Sequence, residues 1–256
     1  RYYSDFVVGK QHKSFKEGDI TIADWIGEFK PSTVNVIPLF EEMGYMLEAH
    51  NITKEYLKDK KVKYQRVFLA HSDPAMNYGM INSMLLNKIA LQRLHKMSKD
   101  IGVEIYPILG LGSAPFRGNL TPHNVQHVLN EFPSVQTFTI QSAFKYDHAP
   151  EDVTRAIAEI NQHQRSAPHQ IDEERCLDII KRYANEYQRQ IVALAPVINQ
   201  IAKFVPARRK RKLHVGLFGY ARNMQGVTLP RAITFTSAFY SIGFPPELLG
   251  LNALTK

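Results

Sequence analysis

Short apolar runs that alternate with helical stretches constrain this chain more than any other feature of its sequence. Five such runs occur, at 34–41, 66–73, 104–110, 136–141 and 213–219. Each is rich in β-branched and aromatic residues and closes on polar or glycine residues, so each is predicted as a strand. The run of Met80, Met84, Leu85, Ile89, Leu91 and Leu94 predicts a helix over about 76–99. Apolar residues from Cys176 to Ile201 recur every three or four positions and predict a long helix over 171–204. Pro196 is expected to kink or split it. Strands without apolar–polar alternation are buried on both faces, which points to an α/β fold with a parallel sheet and helices outside. The pattern suits either a doubly wound sheet or most of a barrel. There is no internal repeat, low-complexity tract or Pro/Gly-rich linker, so residues 1–256 are expected to form a single domain. The first residue is Arg1 rather than Met, and the expectation is a piece of a longer polypeptide.

Charge narrows the partners. The chain has 32 Lys and Arg against 24 Asp and Glu, a net +8, which favours anionic ligands. The basic run 208–212 has the composition of a nucleic-acid patch but lacks interleaved aromatics. It is expected to be a solvated face or helix-end complement, so no nucleic-acid partner is expected. No apolar run approaches the roughly 18–20 residues that span a bilayer, and no secretory signal is present. With a lone cysteine, Cys176, a cytoplasmic location and no membrane partner are expected. A Gly-Lys-Ser/Thr phosphate loop, a Cys/His zinc spacing and a Gly-x-Ser-x-Gly elbow are all missing.

In parallel α/β folds active sites gather at the carboxyl ends of strands, so the residues that follow each run matter most. The first run ends in Glu41 and the second in Ser72-Asp73. The third opens into a Gly-rich loop bearing Arg117 and Gly118. The fourth ends in Gln141 with Lys145 nearby, and the fifth leads to Arg222, with Arg231 beyond. Carboxylate oxygens suit Mg²⁺ or Mn²⁺, and arginine forks suit phosphate and carboxylate. The residues alone reach a metal-assisted reaction on a small phosphorylated acid. Each also has a plainer reading. Glu41 could be a surface acid at a strand end, Asp73 a helix N-cap and His71 a hydrogen-bonded core histidine.

Taken together and in order, the motifs resemble those of the phosphoenolpyruvate carboxylase family in its shorter, archaeal-type form. Val36-Ile37-Pro38-Leu39-Phe40-Glu41 resembles the strand bearing the family's metal-binding glutamate. His71-Ser72-Asp73-Pro74-Ala75 resembles its Ser-Asp motif. The segment from Gly112 to Leu120 resembles its Arg-Gly loop. Gly219-Tyr220-Ala221-Arg222-Asn223 and Leu229-Pro230-Arg231 resemble two later arginine segments, and the tail 243–250 also fits.

The resemblance implies a (β/α)₈ TIM-type barrel, most of it within this chain, with additional helices. It implies carboxylation of phosphoenolpyruvate by bicarbonate to oxaloacetate and phosphate, with Mg²⁺ or Mn²⁺ on Glu41 and Asp73. Arg117, Arg222 and Arg231 are the implied catalytic cations, and Gly118, Gln141 and Lys145 the implied substrate-binding residues. A homotetramer is the implied assembly. The other reading is a metal-dependent barrel aldolase or lyase acting on pyruvate-like acids. Met76, Leu109 and Leu111 stand where the plant and bacterial pattern has a lysine, a histidine and an arginine. The family's His-Pro motif has no counterpart here.

Overall fold

The computed structural model of the chain describes residues 8–13, 20–30, 34–206, 223–224 and 226–254. The predicted strand 213–219, the basic run 208–212, His214 and Arg222 lie outside the described residues. The chain divides into two units, Arg1–Ile37 and Pro38–Lys256. In the first, helix α1 (Ile22–Ile26) opens with a reciprocal capping box. The Asp24 amide donates to Thr21 Oγ1 at 3.1 Å, and the Thr21 amide donates to Asp24 Oδ2 at 2.9 Å.

The second unit is built on a parallel sheet of β1 (Leu39–Phe40), β2 (Tyr64–Ala70), β3 (Glu104–Gly110) and β4 (Thr137–Phe138). The strands lie side by side in the order 1-2-3-4, with no reversal. Helices connect them: α2 (Met43–Leu47) and α3 (Ala49–Leu57) after β1, and α4 (Ser72–Tyr78) and α5 (Met80–Ile101) after β2. Helix α6 (Val125–Glu131) follows β3. Beyond β4 come α7 (Ser142–Tyr146), α8 (Pro150–Gln162) and α9 (Glu173–Ile201). A short antiparallel pair, β5 (Asn223–Met224) and β6 (Val227–Thr228), precedes α10 (Ala232–Ser241).

Side chains alternate across a strand, so the register sorts the sheet into two faces. Gln65, Val67 and Leu69 share one face with Ile105, Pro107, Leu109, Phe40 and Phe138. This face is buried and belongs to a core that includes Leu86, Ile89, Leu91 and Leu94 of α5. The other face carries Leu39, Tyr64, Arg66, Phe68, Tyr106, Ile108 and Thr137, and most of it stays partly open. Leu39 is 51% exposed and Tyr64 50%. A second core joins α4, α9 and α10 around Met76, Phe116, Tyr183, Tyr187, Phe235 and Phe239.

The elements differ from the sequence expectations in three places. The helix predicted over 76–99 is two helices, α4 and α5, broken at Gly79, whose φ is +89°. A Cβ on Gly79 would lie 2.4 Å from Tyr183 Cε1 and 2.9 Å from Tyr187 Cδ2, so packing on α9 dictates the break. Helix α9 continues through Pro196 without splitting. Buried Ala195 and Ile198 hold both sides of the proline in the second core, and that packing outweighs the lost hydrogen bond. The first predicted strand shrinks to Leu39–Phe40, and residues 34–38 make no strand.

Candidate functional site

The open face of the sheet leads directly to the candidate residues. Leu39 lies on that face, and continuing the alternation puts Glu41 there too. Thr137 lies on it as well, and so, two and four residues on, do Thr139 and Gln141. The Thr139 amide extends the ladder by donating to Leu109 O at 3.1 Å. Asp73 sits in the first turn of α4, directly after β2. His71, not Asp73, occupies the N-cap position of α4, and it makes no side-chain capping bond there. Glu41 and Asp73 are both half-buried.

Arg117 brings three strand ends together. Its loop runs from the end of β3 and is held in a compact shape by its own backbone. Gly112 N donates to Arg117 O at 2.7 Å, Leu120 N to Gly112 O at 2.9 Å, and Arg117 N to Ala114 O at 2.8 Å. Phe116 is fully buried in the second core, with its ring 5.7 Å from that of Phe235. The Arg117 side chain is 8% exposed. Its Nε donates to Ser72 Oγ at 3.2 Å and its Nη2 to Gln141 Oε1 at 2.8 Å. Residues that follow β2, β3 and β4 therefore meet on one guanidinium.

Two glycines make this approach possible. A Cβ on Gly112 would lie 2.8 Å from Arg117 Cζ and 2.9 Å from Arg117 Cβ. Gly118 takes φ +109°, and a Cβ there would lie 2.4 Å from Leu111 Cδ2. Gly118 thus serves the loop through its backbone.

Burial sets the electrostatics. It lowers the pKa of Arg117, while the nearby Asp73 carboxylate acts the other way. His71 is fully buried, and among the described residues neither ring nitrogen has a hydrogen-bond partner. Burial, assisted by the charge of Arg117, pushes its pKa down to about 4, so the ring is neutral at pH 7. The core reading of His71 agrees with its burial, and no hydrogen bond to its ring is seen among the described residues.

Two further candidates, Lys145 and Arg231, sit on α7 and at the start of α10. Lys145 is exposed on α7, with Nζ 5.2 Å from the ring of its neighbour Tyr146. Arg231 is exposed at the N-cap of α10. Among the described residues no three His, Cys, Asp or Glu side chains gather to hold an ion. No helix among them is long and apolar enough to cross a membrane.

A family model described as phosphoenolpyruvate carboxylase matches residues 1–256. The chain belongs to the phosphoenolpyruvate carboxylase family. Proteins of that name share 57% identity with it in Methanospirillum hungatei, over 256 residues that cover 100% of this chain and 53% of that protein. In Methanothermobacter thermautotrophicus the identity is 55% over 255 residues, covering 100% of this chain and 53% of the relative. In Pyrococcus furiosus it is 52% over 239 residues, covering 93% and 50%. The chain spans about half the length of these curated relatives.

Membership in the family gives the three departures from the plant and bacterial pattern a structural meaning. Met76, Leu109 and Leu111 are each 0% exposed and belong to the two cores. A charged side chain at any of them would be buried among apolar neighbours, so these positions serve packing in this chain. Ser72 and Gln141 become the polar partners of Arg117. Ser72 carries no sequence signal for that role beyond its place before Asp73.

Proposed function

We propose that this chain forms much of the site at which a phosphoenolpyruvate carboxylase converts phosphoenolpyruvate and bicarbonate to oxaloacetate and phosphate. The observation that carries this reading is the meeting of Ser72, Arg117 and Gln141, next to Asp73, at the carboxyl ends of neighbouring parallel strands. A bicarbonate oxygen attacks phosphorus, the phosphoryl group moves to it, and carboxyphosphate and the enolate of pyruvate result. Carboxyphosphate gives phosphate and CO₂, and the enolate carbon adds to CO₂. Negative charge develops on the phosphoryl oxygens in the first step. Arg117 meets that charge with a guanidinium already held at Nε and Nη2, which leaves the Nη1 end of the fork for an anionic oxygen. Its burial keeps water from the enolate, whose protonation would give pyruvate instead.

Glu41 and Asp73 offer hard oxygen donors from adjacent strand ends, which fits Mg²⁺ or Mn²⁺ better than a thiolate- or imidazole-seeking ion. Bound there, such an ion would supply Lewis-acid stabilisation of the developing anion. Arg222 and Arg231 are proposed to add the charge that the substrate's phosphate and carboxylate require. Gly118, Gln141 and Lys145 are the proposed substrate-side residues.

The barrel belongs to the same proposal. A doubly wound sheet reverses its strand order at a switch point, whereas β1 to β4 run in sequence without reversal. The open face with Leu39, Tyr64, Phe68 and Tyr106 is the surface that further strands of a longer polypeptide would enclose.

The test uses the full-length enzyme that contains this chain. Bicarbonate-dependent phosphate release and oxaloacetate formation are followed together. Arg117→Ala should lower kcat/KM by about 10²–10³-fold while the melting temperature changes little. Full activity in that variant, or phosphate release without bicarbonate, would overturn the reading.

A further inference from the structure

The tail 243–250 is the one family-like segment that this mechanism does not use, and it packs against the Arg117 loop. The turn Pro115–Arg117 touches the tail's turn Pro246–Leu248. Tyr240, in the last turn of α10, links the two. Its hydroxyl donates to Glu247 Oε1, within the turn that packs on Pro115–Arg117. Phe235, one turn earlier on α10, packs on the Phe116 ring from the same helix.

A carboxylate is a costly way to achieve packing alone. Among the described residues, Glu247 Oε2 is buried without a hydrogen-bond partner, which an apolar side chain at this position would avoid. What a carboxylate adds is a strong, directional acceptor that fixes the phenol's orientation. The bonded pair in turn fastens the turn Pro246–Leu248, which packs on Pro115–Arg117, to α10.

We infer that Tyr240 and Glu247 are positioning residues: their bond holds the turn Pro246–Leu248 on α10 and against Pro115–Arg117, so that Arg117 meets Ser72 and Gln141. This rests on the reading of Arg117 as the anion-binding residue. Misplacement of a binding group by about 1 Å can cost 10²-fold in rate, so loss of this brace is expected to show in kcat more than in overall stability.

The experiment is a double-mutant cycle in the full-length enzyme, with Tyr240→Phe made in the wild-type and in the Arg117→Lys backgrounds. Tyr240→Phe should lower kcat about tenfold in the wild type and leave the Arg117→Lys variant nearly unchanged, because the guanidinium it positions is gone. The KM for bicarbonate should stay within twofold. Glu247→Gln keeps an acceptor oxygen without the charge and should show the same pattern with a smaller loss. It also stands in if Tyr240→Phe fails to fold. An equal loss in both backgrounds would mean that the pair acts on the fold rather than through Arg117, and would overturn the inference. No loss in either background would overturn it too. If Arg117→Lys alone keeps wild-type kcat/KM, the reading of Arg117 falls first and takes this inference with it.

Discussion

At Gly112 the lack of a side chain decides where a charge can sit. Gly112→Ala would drive a methyl against both ends of the Arg117 side chain. The expected result is loss of the Gln141 bond and a fall in kcat/KM of about 10–10²-fold, with a smaller effect on melting temperature, measured side by side in the full-length protein. His71 makes a prediction about pH. An unfolded histidine titrates near about 6.5, and the folded ring at about 4. Between those values the unfolded chain binds the extra proton. Stability is therefore full above about pH 6.5, declines as pH falls toward 4 and levels off below, a change on the order of 3 kcal/mol. Urea denaturation between pH 4 and 7 without divalent ions should show that slope, and His71→Gln should flatten it. Equal slopes would remove His71 as the source. Glu41, Asp73 and Arg117 were legible because each follows a predicted strand. The Ser72–Arg117–Gln141 bonds were not, because a sequence names side chains and not the partners that loop shape gives them. Buried Phe116 anchors the same loop in the second core.

The elbow at Gly79 shows how tertiary contact overrides a periodic pattern. Apolar spacing runs through residue 79 without a break, and only the two tyrosines of α9 force the turn there. Gly79→Ala should destabilise the protein by at least about 2 kcal/mol, read from the denaturation midpoint at constant slope. Tyr187 also donates to Met76 O at 2.9 Å. Tyr187→Phe strands that buried carbonyl and should cost about 1–3 kcal/mol, and a loss below a few tenths would show that water replaces the hydroxyl. Strand β3 was legible to the residue because β2 pairs with it along its whole length, and β4 pairs with Ile108 and Leu109 on the other side. Strand β1 was overestimated because the paired neighbour seen for it is β2 alone.

For the molecule as a whole, the open sheet face sets the expectations. An apolar and aromatic face that is half exposed is an aggregation hazard. Residues 1–256 expressed alone should bind a hydrophobic dye and form no oxaloacetate, whereas the full-length enzyme should show the reverse. Turnover by the isolated segment comparable to the full-length rate would show that these residues suffice. The strand and helix alternation made an α/β fold with a parallel sheet legible. It left open the choice between a doubly wound sheet and a barrel, which no apolar run encodes. The placement of Arg117 carries one more consequence. Its guanidinium is wired to the strand end on either side, so the loop 112–120 is not an independent module. A chimaera that grafts this loop from a distant homologue would inherit an arginine with foreign neighbours. Natural variation here should then travel in threes, with changes at 72, 117 and 141 arising together, while exchanges on the outer helices accumulate one at a time.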